Sequence, residues 1–238
     1  MARVARKQAA PKTCPPLAEL LQEVSESVYF NGESPLRLNT DAVRADCPLH
    51  LVIGDNGAGK SFLVQVLSAY ARSDDCTPLQ ISMAYRTRAG IERAFMYGSD
   101  EDHSTGLNSI GVVRRAISSM QGWGSKAHIA LFDEPDTGLS DRYAHPLGAL
   151  IAQFATAPAD GTKGVLIITH SRALVRGALG VLEQGGHEPS VAFVGSRYSS
   201  LDQFLGETAP ATVEEMLEVE GSAHTTWRCI SKMLEPRK

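Results

Sequence analysis

The feature that most constrains the fold of this chain is residues 49–70, LHLVIGDNGAGKSFLVQVLSAY. An apolar run comes first and predicts a short buried strand, and apolar residues recur at helical spacing in the second half. The glycines between them can adopt positive φ, so that successive N–H groups and the N-terminus of the helix point at one anion. The stretch therefore predicts a strand, an anion-binding loop and a helix, in that order.

The loop carries the full phosphate-binding signature, Gly54-x-x-x-x-Gly59-Lys60-Ser61, between the strand and the helix that the signature requires. Lys60 is expected to neutralise the β- and γ-phosphates of a nucleotide, and the Ser61 hydroxyl to coordinate Mg²⁺. A glycine-rich turn that binds nothing is the alternative, and the agreement of motif and periodicity disfavours it. The residues expected to bind the nucleotide are Gly54, Asp55, Asn56, Gly57, Ala58, Gly59, Lys60, Ser61 and Phe62.

Length and composition indicate one globular domain. With 238 residues and 43% hydrophobic content, the chain can bury one substantial core. The net charge of -4 gives no global attraction to nucleic acid or to an anionic membrane. No apolar run approaches the ~18 residues that span a bilayer, and the N-terminus lacks the apolar core of a signal peptide. We predict a cytoplasmic protein without membrane insertion.

The four cysteines, Cys14, Cys47, Cys76 and Cys229, fall in no CxxC or Cys/His ligand pattern. This spacing argues against disulfides and structural zinc, and it fits a reducing compartment.

The N-terminal region divides into a tail and a helix. Residues 1–16 carry four basic residues and no acidic one, which predicts a disordered basic tail, either simply solvated or in contact with nucleic acid. The remainder, residues 17–238, is predicted to be a single domain. Residues 16–28 have an apolar stripe at helical spacing. Tyr29, which follows, is either a core aromatic or an adenine contact.

A second chemical cluster occupies residues 128–140, HIALFDEPDTGLS. Its continuous apolar run predicts a parallel strand covered on both faces, which delivers Asp133 and Glu134 to the carboxyl end of the sheet. Adjacent carboxylates repel each other unless a cation is near. Asp133 is therefore expected to hold Mg²⁺, and Glu134 to act as the general base that polarises the attacking water. A simple acidic turn is the alternative.

These residues resemble a known family. Asp133-Glu134-Pro135, with the DTGLS run that follows, resembles the Walker B motif and D-loop of ATP-binding-cassette (ABC) ATPases. Residues 164–172, GVLIITHSR, resemble the strand and switch histidine of the same family. The resemblance implies that His170, as a neutral imidazole, contacts the γ-phosphate or the attacking water, and Ser171 is expected to cap the next helix. A surface histidine without such a role is the alternative.

The signature loop of that family has one candidate, residues 103–109, HSTGLNS. It keeps a Ser-x-Gly core, as in the chromosome-maintenance and recombination-repair branches and in soluble relatives from bacterial defence systems and phages. The resemblance implies that Ser104 and Gly106 bind the γ-phosphate of a nucleotide held by a second protomer, in a head-to-tail homodimer or heterodimer. A simple helix cap is the alternative.

The helical and signature region, residues 86–120, is shorter than the corresponding region of transporter subunits, and the chain has no coiled-coil heptads. The protein therefore resembles a bare catalytic head. The Q-loop glutamine is ambiguous, because Gln80 lies inside a strand predicted over residues 79–85, and Arg86 or Arg88 takes the expected corner.

Other elements are predicted from local signals. A helix is expected to begin near His145, because Pro146 suits a first turn. Strands are predicted over residues 35–39 and 191–194. In the C-terminal region, residues 207–238, a capping box at Thr212 opens one helix, and the apolar residues Trp227, Ile230 and Leu234 mark a separate last helix. These helices are expected to cover the core, or to form a dimer or docking surface.

Together these patterns predict a three-layer α/β P-loop NTPase with a mainly parallel sheet and a reduced helical subdomain. The predicted activity is hydrolysis of MgATP by an ATP-dependent dimer that switches an effector protein, in nucleic-acid transactions or defence. The alternatives are the ATPase subunit of a membrane transporter and a nucleotide-sensing scaffold with little turnover.

Overall fold

The computed structural model describes residues 13–32, 34–82 and 104–234. These ranges contain six strands and seven helices. In chain order they are α1 Leu17–Glu26, β1 Leu38–Ala42, β2 Leu49–Ile53, α2 Lys60–Ser73, β3 Thr77–Ser82, α3 Thr105–Gln121, β4 His128–Asp133, α4 Asp141–Thr156, β5 Thr162–Thr169, α5 Arg172–Gln184, β6 Ser190–Val194, α6 Leu201–Gly206 and α7 Val213–Leu234.

The six strands form one sheet in the order β1-β6-β2-β5-β4-β3. All neighbours pair in parallel except β1, which runs antiparallel to β6 at the edge. Strand β5 lies between β2 and β4, and its end pairs Thr169 with Ile53 and Ile168 with Asp133. The carboxyl ends of β2, β5 and β4 therefore lie side by side. These strands precede the phosphate loop, His170 and Glu134, respectively.

Helices cover both faces of the sheet. Buried residues of α1 and α2 pack on one face, around Val52, Leu131 and Leu166. Helices α3, α4, α5 and α6 pack on the other face, around Leu51 and Phe132. The apolar side chains of the central strands are buried on both sides, as the continuous apolar runs predicted. The three-layer α/β fold with a mainly parallel sheet is confirmed.

Helices α4 and α5 approach closely at two glycines. A Cβ atom at Gly177 would lie 1.8 Å from the carbonyl oxygen of His145, and one at Gly148 would lie 2.0 Å from that of Leu174. These glycines therefore allow the backbones of α4 and α5 to pack in direct contact on this face of the sheet.

The prediction that a helix begins near His145 is wrong, because α4 begins at Asp141 and holds Pro146 in its interior. The carbonyl of Ser140 accepts the N–H groups of Tyr143 and Ala144, so the first turn closes before the proline. Pro146 removes one helical hydrogen bond, and the neighbouring Leu147 packs in the core.

The C-terminal region also differs from its prediction, because α7 is one continuous helix of 22 residues. The capping box is confirmed: Thr212 N–H donates to Glu215 Oε2, and Glu215 N–H donates to Thr212 Oγ1. Gly221 lies in mid-helix, but the roughly 1 kcal/mol that an interior glycine costs does not divide it.

The expectation of no disulfide is wrong, because Cys14 and Cys76 are bonded across 62 positions of sequence. The bond ties the segment before α1 to the residue before β3. A pairing between positions so far apart has no local spacing signal, which is why the sequence pattern missed it. The prediction of a reducing compartment loses this part of its support.

In the described ranges, no helix is both long enough and apolar enough to span a bilayer. Most of the predicted basic tail and residues 86–103 of the predicted signature region lie outside those ranges.

Candidate phosphate-binding site

The phosphate loop connects β2 to α2 in the conformation that its glycines predicted. Gly57 and Gly59 have φ values of 74° and 99°, in the left-handed region, and α2 begins directly afterwards at Lys60. Residues other than glycine rarely adopt these backbone angles. The loop therefore turns its backbone into a concave surface at the N-terminus of α2, which suits an anion.

Lys60 is the cation of this loop and is buried. Its Nζ donates to the carbonyl oxygens of Gly54 and Asp55, each at 2.9 Å, and lies 3.2 Å from Glu134 Oε1. The ammonium group is thus held across the loop, facing the carboxylate that follows β4.

Glu134 occupies a strained position at the end of β4. Its φ is 46°, in a region that residues other than glycine rarely adopt, and such strain concentrates at functional sites. Its Oε1 also lies 3.1 Å from Nδ1 of His170, the residue that follows β5. One carboxylate oxygen therefore meets both Lys60 and His170.

The contacts of Glu134 set its charge. The hydrogen bond with His170, reinforced by the charge of Lys60, lowers the pKa of Glu134 to about 2 despite partial burial. The same hydrogen bond raises the pKa of His170. The pair therefore favours a carboxylate and an imidazolium, whereas the sequence led us to expect a neutral imidazole.

Asp133, the last residue of β4, is buried, and its pKa is shifted in the opposite direction to that of Glu134. Burial and the charge of Glu134 raise its pKa to about 6, against hydrogen bonds from Ser82 and Gln80 on the neighbouring β3. A buried carboxylate beside a second one is stabilised by a nearby cation. The carboxylate of Asp133 and the hydroxyl of Ser61, which lines the pocket, are oxygen ligands of the type that Mg²⁺ binds together with phosphates and water.

The loop, α2 and α7 line an open pocket of about 270 Å³. Its lining residues are Asn56, Gly57, Gly59, Lys60, Ser61, Phe62, Gln65, Glu134, Ala223, Thr226, Trp227 and Ile230. Of the residues predicted to bind nucleotide or to act on it, Gly54, Asp55, Ala58, Ser104, Gly106, Asp133 and His170 are not among the lining residues. Gly54, Asp55 and His170 nevertheless contact Lys60 or Glu134 directly.

The two signature residues lie at the start of α3. Ser104 is exposed and caps the helix by accepting the N–H of Leu107 at 3.5 Å. Gly106 is buried against the predicted D-loop, where an added Cβ would lie 2.5 Å from the carbonyl oxygen of Gly138. The structure thus joins the candidate signature loop to the D-loop, and the cap that we considered as an alternative is present.

Sequence reasoning missed an ionic network beside the phosphate loop. Asp55 pairs with Arg197 at 3.1 Å, and Arg197 pairs with Glu207 at 2.8 Å. Glu207 in turn contacts Arg172, in the first turn of α5. The network links the loop to the helix that follows His170. Its members are far apart in sequence and form no motif.

Sequence reasoning also missed the position of α7. Val219 and Ala223 lie against the phosphate loop, 3.3 and 3.5 Å from where a Cβ of Gly57 would be. Trp227 and Ile230 line the pocket one and two turns further along. The signal available was the apolar spacing of these four residues, of which we had used only Trp227 and Ile230, to mark a separate last helix.

Comparisons with known proteins assign no family to the chain. No protein-family model matches the chain, and no curated protein matches it. Among solved structures, the crystal structure of Cdc6p from Pyrobaculum aerophilum is similar, with 14% identity and a TM-score of 0.35. The alignment covers 92% of this chain and 52% of that one, so the chain spans about half the length of its neighbour.

The fold and the loop together define the class: the described residues form an α/β domain of the P-loop NTPase type. Three features support this class: the sheet order, the sequence and conformation of the phosphate loop, and the acidic end of β4, which lies two strands from β2.

Proposed function

We propose that the protein binds MgATP at this site and hydrolyses it as an ABC-type ATPase. One observation carries the proposal: a loop lysine and a histidine from two different strand ends meet the same carboxylate oxygen of Glu134, at 3.2 and 3.1 Å. A structural salt bridge needs neither a phosphate-loop signature nor a strained glutamate. A triphosphate site needs all of these groups near the γ-phosphate.

The roles of the residues follow from their contacts. The loop amides and Lys60 bind the phosphates, and Ser61 and Asp133 would hold Mg²⁺, which when bound supplies positive charge to the phosphate oxygens. A γ-phosphate competes with Glu134 for Lys60 and His170. Release from those two partners removes the causes that lower the pKa of Glu134, which then becomes a better base for the attacking water.

We further propose that ATP joins two such heads. Ser104 and Leu107 are exposed at the start of α3, and Thr137 and Gly138 of the D-loop are exposed beside them, so both segments are available to a second copy. The N-terminus of α3 has the polarity that favours a phosphate. The partner would be another ATPase head, and the dimer would switch an effector protein that acts on nucleic acid or in defence.

A nucleotide-sensing scaffold with little turnover is the second candidate. The observation that favours it is that Lys60 and His170 both engage Oε1 of Glu134, at 3.2 and 3.1 Å, so this oxygen is not free to accept a proton from water. Phosphate release separates the two candidates, because a scaffold binds ATP and assembles without multiple turnovers.

The site is tested by replacing Lys60 with alanine. Loss of charge-assisted hydrogen bonds is expected to weaken ATP binding at least about tenfold, as measured by calorimetry. Lys126→Ala, at an exposed lysine outside the site, is the matched control and should bind like wild type. Wild-type affinity in Lys60→Ala, with a normal thermal melt, would remove the site assignment.

A further inference from the structure

A tryptophan stands on the wall of the phosphate pocket. Trp227 lines the pocket together with Lys60 and Ser61, although it comes from α7, far from the loop in sequence. Its side chain is 56% exposed, so much of the indole surface is uncovered. Large exposed aromatic rings beside a polar cleft are common contacts for ligands.

The position of Trp227 is fixed by the packing of α7. One turn earlier, Ala223 lies 3.5 Å from where a Cβ of Gly57 would be, and one turn later Ile230 is 3% exposed in the core cluster that contains Phe62. The helix thus runs from the middle of the phosphate loop toward the first turn of α2. The reciprocal capping box fixes its start.

The pocket consequently has two chemically different sides. Loop amides, Lys60 and Ser61 form one side, which suits phosphate groups. Trp227, Ile230 and Phe62 form an apolar side, which suits a planar ring. A ligand that satisfies both sides carries a polyphosphate and an aromatic group, and this is the composition of a nucleotide.

The other aromatic residues near the loop are less suited to a base. Tyr29, the contact considered from sequence, is half-buried, places its ring edge-to-face on Phe62 at 5.7 Å and is not among the lining residues. Phe62 is buried between Tyr29 and Phe30. In the described part of the chain, Trp227 is the aromatic lining residue with a free surface.

We infer that Trp227 is the nucleobase-contacting residue of this site, where it stacks on the base of a nucleotide whose phosphates lie on the loop. The inference rests on the proposed function, because it needs a nucleotide on the loop. Stacking tolerates every base, so Trp227 contributes to affinity for ATP and GTP alike.

The first experiment uses fluorescence. The chain has two tryptophans, so Trp123→Phe leaves Trp227 as the sole tryptophan, which is excited selectively over the six tyrosines at long wavelength. Titration with MgATP is expected to change the emission of Trp227. Inorganic tripolyphosphate with Mg²⁺, which reproduces the phosphates without a base, should bind and leave that emission nearly unchanged.

The second experiment measures affinity by calorimetry. Trp227→Ala is expected to weaken ATP and GTP binding roughly 5- to 100-fold, while tripolyphosphate affinity stays at the wild-type value. Trp227→Phe should keep ATP affinity within about threefold, because it retains an aromatic face. Leu217→Ala, at an exposed residue of the same helix away from the pocket, is the matched control.

The outcomes separate this inference from the proposed function. If the wild-type protein binds neither ATP nor tripolyphosphate, both are wrong. If ATP binds equally well to wild type and Trp227→Ala, the stacking role is wrong and the ATP site stands. Equal losses of affinity for ATP and tripolyphosphate in Trp227→Ala would also overturn the stacking role, because the residue would then act through the phosphate loop. Tighter ATP binding in Trp227→Ala would overturn it too, because the residue would then obstruct the site.

Discussion

At the scale of single residues, the identities of the phosphate-loop and strand-end residues could be predicted from the sequence. Their backbone conformations, contacts and pKa values could not. The motif predicted that Lys60, Glu134 and His170 would come together, because parallel strands end at one edge. The left-handed backbone of Glu134 and the shared carboxylate oxygen depend on atomic positions that no spacing rule supplies. The same holds for the low pKa of Glu134 and the raised pKa of His170.

His50 provides a test of pH dependence away from the phosphate loop. It is buried on β2, where its Nδ1 lies 2.7 Å from Ser190 Oγ, and burial lowers its pKa to about 4. The unfolded chain, with a histidine pKa near 6.5, takes up the proton first as pH falls. The free energy of unfolding should therefore drop by about 3 kcal/mol between pH 6.5 and 4 through this residue alone.

Urea unfolding of wild type and His50→Gln across that pH range isolates the contribution, because other titrating groups cancel in the difference. The stability difference between the two proteins should shrink or reverse as pH falls. A constant difference from pH 7 to 4 would show that His50 is not buried as a neutral ring.

At the scale of elements, most strands and helices could be predicted, since periodicity and capping are local. Strand β4 and helix α2 follow their patterns closely. The failures lie where distant contacts decide: Pro146 inside α4, and the continuity of α7. Each of these helices contains a residue with low helix propensity, Pro146 in α4 and Gly221 in α7. Intrinsic propensity is a weak guide in such cases, because tertiary packing can override it.

The contact between α4 and α5 gives an element-scale prediction. An alanine at Gly177 would place its Cβ 1.8 Å from a backbone carbonyl oxygen of α4, so the helices must separate. Gly177→Ala should destabilise the fold by about 1–3 kcal/mol or more, as measured by urea unfolding.

Gly180→Ala is the matched control on the same helix. An added Cβ there meets no atom within 4 Å, and replacing a helical glycine should raise stability by up to about 1 kcal/mol. Equal effects at the two positions would contradict the close packing of α4 on α5.

At the scale of the whole molecule, the layers and the parallel sheet could be predicted, because alternating strands and helices admit few arrangements. The disulfide, the ionic network at Arg197 and the placement of α7 over the loop could not. Each joins segments that are remote in sequence, and neither composition nor spacing reports such contacts.

Dimerisation is the prediction that belongs to this scale. Glu134→Gln removes the proposed base and should lower phosphate release about 100-fold or more while ATP still binds. Mass photometry of this variant with ATP should show a species of twice the 25.6 kDa of one chain. The Lys60→Ala, Glu134→Gln double variant should stay monomeric, and a monomeric Glu134→Gln protein at saturating ATP would contradict the head-to-tail dimer.

The cysteines offer a practical consequence. Cys14 and Cys76 are joined, Cys47 is buried, and Cys229 is an exposed free thiol on α7. A maleimide dye added to the native oxidised protein would therefore attach at Cys229, two positions from Trp227. Labelling at that one thiol would place a reporter near the pocket that Trp227 lines, without any engineered cysteine.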